Sequence, residues 1–239
     1  MKGQPQRARA STEIADQLRS LILDGSYRAG QRLPAERVLA TDLGVNRSTI
    51  REALRELQGG GWVQVRHGDG TMVLDFLRTS GIDRLASLLP DPNRRGGLLK
   101  DIMEFRQLVG REIARLAATR VDEETLEALR QIAGRRPSEP KDVLLQDLEF
   151  YHRLALGTEN LVFSLLLNTV RKVVGQFTGI FIDVVPEGRL VWAHYDALIT
   201  ALEKSDGVAA AKIADHHLEW GKATGLGKTS HFVVKPMRE

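Results

Sequence analysis

The sequence predicts a mainly α-helical protein, with a small β-hairpin confined to its first third. Three observations predict this. Helical periodicity over the first 58 residues stops at an unbroken Gly59-Gly60-Gly61. Two short β-prone runs follow, around a glycine-rich turn. Beyond Asp75 the helical period returns and continues to about residue 220.

Ile14, Leu18, Leu21 and Ile22 fall on one face of a first helix. Residues 1–10 read as a basic arm, Ser11 or Thr12 as the cap, and Gly25 as the stop. Pro34 suits the first turn of a second helix, where its missing N–H costs nothing. Val38, Leu39 and Leu43 supply that helix with an apolar face, and Gly44 ends it. Asn46 caps a third helix, whose apolar stripe is Ile50, Ala53, Leu54 and Leu57. Strands at 62–65 and 71–74 complete the order helix, helix, turn, helix, hairpin, which is a winged helix-turn-helix. Helical segments follow near 80–89, 98–119, 123–133, 141–156, 160–178, 188–204 and 206–220, with loops at 91–97 and 134–140. The second half is therefore an all-α helical bundle. The expected domains are 1–75, a linker with connecting helix over 76–97, a bundle over 98–221, and a loose glycine-rich tail over 222–239.

Composition narrows the class. Apolar residues make up 42% of the chain, enough for a real core, and no apolar run approaches the ~20 residues of a membrane span. The N-terminus lacks the apolar stretch of a secretory signal. The absence of cysteine excludes disulfides and Cys-zinc sites and fits a cytoplasmic protein. A net charge of +3 hints at an anionic partner, but where the charge sits matters more than the sum.

A basic stripe stands out on the third helix, with Glu52 and Glu56 beside it rather than on it. Arg47, Arg51 and Arg55 recur at i, i+4 and i+8, forming one stripe of guanidiniums, and Asn46, Ser48 and Thr49 cluster at the helix start. Arginine forks match guanine O6 and N7, and small polar groups reach phosphates or base edges, so this is the chemistry of a major-groove reader. The plain alternative is a solvated face laced by Arg–Glu pairs. The hairpin that follows favours the DNA reading, with His67 as a wing-tip contact rather than an ordinary loop histidine.

The run Leu33-Pro34-Ala35-Glu36-Arg37, then Leu43 through Leu54 (LGVNRSTIREAL), Gly61-Trp62 and Gly68-Asp69-Gly70-Thr71 resembles the GntR family of bacterial regulators over about 12–75. The resemblance implies that Arg37, Arg47 and Arg51 hold DNA, with Asn46, Ser48, Thr49, His67 and Gly68 near them. It also implies a homodimer on a palindromic operator, usually as a repressor. Arg55 joins this set from the stripe alone.

The second half resembles the FadR-type branch of that family, through Glu104-x-Arg106, Leu116-Ala117-Ala118, Asp147-x-x-Phe150, Asn160, and Asp206 with Ala209-Ala210 before His217. Many members hold a divalent metal through one aspartate and three histidines. Here only Asp147 and His217 are in register. Tyr151 and Tyr195 stand at the other two positions, and His152 and His194 are each displaced by one residue. One residue turns a helical side chain by about 100°, so His152 and His194 should point elsewhere and no metal site is expected. A helical bulge restoring their register is the alternative. Arg106 beside Tyr151 and Tyr195 suits a carboxylate or phosphate, or else a structural ion pair with Asp147 or Glu104. Metal-free members of the branch include a fatty-acid regulator that takes long-chain acyl-CoA. That likeness extends to Phe76-x-x-Thr79-Ser80-Gly81-x-x-x-Leu85 and to 160–170. The effector is thus either a fatty acyl-CoA or a small organic or sugar acid, bound through Arg106, Asp147, Tyr151, Tyr195 and His217.

Rival readings are weaker. Gly225-Leu226-Gly227-Lys228-Thr229 mimics the end of a phosphate-binding loop, but its first glycine would fall on Lys222 and no strand precedes it. A metal-dependent enzyme lacks a carboxylate–histidine pair at clean ligand spacing, so no catalysis is expected. A purely architectural DNA binder has no need of so large a helical domain.

Overall fold

Apolar side chains at helical spacing assemble the first of two compact units, Met1–Ile82 and Asp83–Glu239. The computed structural model describes residues 4–66, 70–182 and 187–228. Helix α1 (Gln4–Leu23) buries Ile14, Leu18 and Ile22, and packs on α3 (Arg47–Gly59), which buries Ile50, Ala53, Leu54 and Leu57. The expected arm over 1–10 is corrected, because α1 reaches back to Gln4 and Ser11 is buried within it. Gln, Arg and Ala are good helix formers, and Pro5 is tolerated in a first turn.

Helix α2 (Glu36–Asp42) packs on α3 through Leu39 and Ala40. Val38 is 39% exposed, because a helix of two turns offers its neighbour only one edge. Gly44 takes φ +65° between α2 and α3, a left-handed turn that a side chain would strain. Strands β1 (Val63–Arg66) and β2 (Gly70–Val73) pair antiparallel, with Val63 opposite Val73 and Arg66 opposite Gly70. The connector before α2 extends this wing. Leu33 N–H donates to Thr71 O at 2.8 Å and Val73 N–H to Gln31 O at 2.9 Å. Trp62, 1% exposed, anchors the wing base against Phe76, with ring centroids 4.9 Å apart.

After α4 (Phe76–Thr79) the expected helix over 80–89 is broken into a 3-10 turn (Ile82–Arg84) and α5 (Leu85–Leu88). Ser80 and Gly81 are poor helix formers. The expected loop at 91–97 is instead the start of α6 (Pro92–Ala117). Proline fits a helix start, and burial of Leu99 and Met103 further along offsets the cost of Gly96 and Gly97. Then come α7 (Glu123–Gly134), α8 (Pro140–Leu156), α9 (Leu161–Gln176), α10 (Thr178–Phe181), α11 (Gly188–Glu203) and α12 (Gly207–Lys228). Asp122 and Asn160 cap α7 and α9, accepting from Thr125 N–H at 2.8 Å and Val162 N–H at 3.0 Å. The helix α12 runs past the expected end at 221 and includes Gly225–Lys228, so this stretch is helical rather than a loop around phosphate.

Among the described residues, the bundle has two apolar clusters. The larger joins the second half of α6 to α7, α8, α11 and α12 around Ile113, Phe150, Tyr195 and Leu198. The smaller gathers Leu89, Leu99, Met103, Leu144, Val173, Val174 and Phe181. A cavity lies between them, taking Ile113, Tyr151 and Val191 from the first and Met103, Leu144, Val174 and Phe181 from the second.

Candidate functional site

The DNA-reading residues are set by the start of α3. The Asn46 side chain accepts from Thr49 N–H at 2.9 Å and Thr49 Oγ1 at 3.0 Å, and Ser48 Oγ also donates to it. Thr49 is 3% exposed, so its hydroxyl serves this cap and is turned from the face that meets solvent. Ser48 is half-buried, and Asn46 stays exposed. Arg37, Arg47, Arg51 and Arg55 are all exposed on α2 and α3. Arg51 Nε donates to Glu36 Oε2 at 2.7 Å, which ties its side chain to α2. Its two terminal nitrogens carry no hydrogen bond among the described residues, leaving the fork open. Neither the arginine stripe nor the spacing had singled out Glu36 as the residue that orients Arg51. His67 and Gly68 lie outside the described residues.

In the bundle, Asp147 on α8 gathers a buried polar cluster. Arg106 on α6 donates to Asp147 Oδ2 as an ion pair. Tyr195 Oη donates to Asp147 Oδ1 at 3.3 Å, and His217 Nε2 lies 3.4 Å from the same oxygen. Tyr151 Oη lies 3.0 Å from His194 Nε2, and the His194 and His217 rings stack at 3.9 Å, 4° from parallel. Burial alone raises an aspartate, but the Arg106 guanidinium and His217 outweigh it and hold the Asp147 carboxyl below the usual carboxylate range. Burial first, then the Asp147 charge, pushes both tyrosines above the ordinary phenol value. Burial and His217 hold His194 below the ordinary imidazole value, so it is neutral near pH 7. The Tyr151–His194 hydrogen bond therefore joins two neutral groups.

All five predicted effector residues, Arg106, Asp147, Tyr151, Tyr195 and His217, meet here. One expectation is corrected. His194 does not point elsewhere: it is 6% exposed and inside the cluster. The helix α11 is enclosed by α7, α8 and α12, so a turn of 100° from the fully buried Tyr195 leads into another interface rather than to solvent. His152 does turn away, toward Asn168 and Arg171 on α9.

This donor set does not fit a divalent metal. Arg106 occupies the carboxylate with a positive charge, and Tyr151 stands where an imidazole is needed. The His194 and His217 rings lie face to face, 4° from parallel, so lone pairs in their two planes do not converge on one point. Among the described residues no group of histidines and carboxylates is arranged to hold a metal ion.

Arg106, Asp147 and Tyr151 form one polar end of the cavity. Apart from Arg171, the rest of its wall is apolar, with Ile102, Phe105 and Val109 from α6, Leu144 and Leu148 from α8, Leu167, Val170 and Val174 from α9, and Phe181 from α10. Arg171 lines it as well.

A winged helix-turn-helix with an open arginine stripe, followed by a helical bundle that encloses a largely apolar cavity, defines a DNA-binding regulator with a ligand-binding domain. Residues 10–73 match the gntR family of bacterial regulatory proteins, and residues 101–219 match the FCD domain. The chain is 32% identical over 213 residues to the HTH-type transcriptional regulator Mce2R of Mycobacterium tuberculosis, covering 87% of this chain and 88% of that protein. It is 33% identical over 187 residues to the fatty acid metabolism regulator protein of Shewanella pealeana, covering 76% and 72%. Lar, which controls expression of the Listeria monocytogenes agr system, shares the fold, with a TM-score of 0.50 at 18% identity over 90% of this chain and 95% of that one. The chain belongs to the gntR family, in its FadR-like, FCD-bearing branch, and is a DNA-binding transcriptional regulator with an effector-binding domain. Among the described residues no helix is long and apolar enough to cross a membrane.

Proposed function

We propose that this regulator represses its targets by binding a palindromic operator as a homodimer, and that an effector with a long apolar chain, of the fatty acyl class, changes its operator affinity. The cavity wall carries the effector half of this reading. Apart from Arg106, Asp147, Tyr151 and Arg171, every side chain lining it is apolar or glycine. A sugar acid needs many donors and acceptors, and Arg106, the natural partner for a small carboxylate, is already committed to Asp147. An alkyl chain gains ~0.8 kcal/mol for each buried methylene. The name of the Shewanella relative supports the same class. On the DNA side, Arg37, Arg47 and Arg51 supply the reading and phosphate contacts, with Asn46, Ser48 and the wing-tip His67 and Gly68 beside them.

The cavity measures about 70 Å³, well below the ~300–1,000 Å³ usual for small-molecule pockets. A long chain therefore enters only by parting the lining side chains, which makes binding and conformational change one event. Thermal unfolding with palmitoyl-CoA, against free CoA and short organic acids, tests this reading. At 100 times the Kd a ligand adds ~2.7 kcal/mol to the folded state. A raised Tm with palmitoyl-CoA alone is the expected result. A shift with a short acid and none with palmitoyl-CoA overturns the fatty acyl reading.

A further inference from the structure

Two features of the bundle meet at Arg171. Along α9, Leu167, Val170, Arg171 and Val174 form one stripe facing the apolar cavity. Arg171 also lines a separate, polar cleft with Arg135, Glu149, His152 and Arg153. Its guanidinium is close enough to His152 to help lower that imidazole's affinity for a proton, after the larger effect of burial. The side chain thus spans from the apolar wall to the polar cleft.

The charges around it are otherwise settled. Arg106, the other cation of the cavity, is paired with Asp147. In the cleft Glu149 pairs with Arg135 at 2.8 Å, Glu124 with Arg153 at 3.6 Å, and Glu127 with Arg130 at 3.5 Å. Arg171 makes no ion pair among the described residues and is exposed. An anionic group placed beside it neutralises a free cation without breaking an existing pair or leaving the buried Asp147 charge alone, which is the costly alternative at Arg106.

We propose that Arg171 is the specificity residue that receives the anionic headgroup, carboxylate or phosphate, of a single-chain amphiphile whose tail occupies the cavity. This rests on the fatty acyl reading above and adds to it where the charge is recognised: at Arg171, where the cavity meets the cleft, not at the paired Arg106. The exposed position sets the size of the effect. Solvent-screened pairs contribute modestly, so loss of Arg171 should weaken an anionic ligand by about three- to tenfold.

The test measures dissociation constants of laurate, lauroyl-CoA and the uncharged dodecanol for the full chain, by calorimetry. The variants are Arg171→Ala and Lys172→Ala; Lys172 is exposed on the same turn of α9 but lines neither the cavity nor the cleft. The expected result is that Arg171→Ala loses affinity for laurate, lauroyl-CoA or both, keeps dodecanol binding, and keeps its Tm, while Lys172→Ala changes nothing. Loss for laurate alone assigns the site to a carboxylate, and loss for lauroyl-CoA alone to a phosphate. Equal loss for dodecanol, an equal effect of Lys172→Ala, or a headgroup preference that survives in Arg171→Ala overturns the assignment. A wild-type chain that binds none of the three probes overturns the cavity reading itself, and this assignment with it.

Discussion

Arg51 shows how a single side chain is prepared for DNA. Its Nε is held by Glu36 while both terminal nitrogens stay open, so the fork is presented before any base arrives. Replacing Arg51 or Arg47 by alanine should cost ~1–3 kcal/mol of operator affinity where the residue pairs with a guanine. Anisotropy titrations at fixed salt, on an operator recovered by genomic selection, measure this; unchanged affinity in both variants would reassign the recognition surface. His194 carries a second residue-scale prediction. Its folded-state proton affinity lies below that of an exposed imidazole, so the unfolded chain binds the extra proton. Its contribution to stability is present above pH ~6.5 and fades as the pH falls below that value, at up to ~1.4 kcal/mol per pH unit. Asp147, also held low, adds a loss of the same sign below pH ~4. Denaturant unfolding between pH 8 and pH 5 should show stability falling with acid, with a shallower slope in His194→Gln. A flat profile in the wild type contradicts this assignment of the buried imidazole.

Among the described residues, α12 packs along α6 more extensively than any other two elements pack together. A Cβ placed on Gly207 would lie 2.8 Å from the Arg115 carbonyl oxygen, which is backbone and cannot rotate away. Gly207→Ala should therefore force the start of α12 off α6 and destabilise the protein by ~1–3 kcal/mol. Gly175, in the last turn of α9, meets nothing within 4 Å, and Gly175→Ala should stabilise by up to ~0.5 kcal/mol through helix propensity alone. Urea unfolding followed by circular dichroism separates the two. Equal shifts in the same direction would remove the steric account of the α6–α12 contact. Three helix starts are local matters: Asn46, Asp122 and Asn160 each bind N–H groups that follow them, which is why the starts of α3, α7 and α9 are readable from neighbouring residues.

At the scale of the whole molecule, regulation needs a free-energy coupling between cavity and operator, and such coupling is reciprocal. A coupling of ~1–3 kcal/mol is about 5- to 150-fold in operator affinity, and the operator must change effector affinity by the same factor. Palmitoyl-CoA is thus expected to weaken operator binding by a factor that equals the weakening of palmitoyl-CoA binding by operator DNA. A ligand that raises Tm yet leaves operator affinity unchanged would be bound without being an effector.

Much of this protein was determined by local sequence. The three-helix head, the glycine stop after α3, the hairpin and the return to helical period all follow from side-chain spacing and backbone preference, which act over a few residues. The shared helix face of Arg47 and Arg51 follows in the same way, because i, i+4 spacing fixes one face of a helix wherever the helix lies. Tertiary structure decided what depends on the neighbours of a face. The helix over 92–97 persists despite two glycines because burial further along α6 outweighs propensity. Thr49 is taken into a cap, and Glu36 reaches Arg51 from another helix. His194 is drawn into the polar cluster because α11 is enclosed on several sides, and Arg106 is spent on Asp147, 41 residues away in the chain. Periodicity states which way a side chain points from its own helix; only packing states what stands there to meet it.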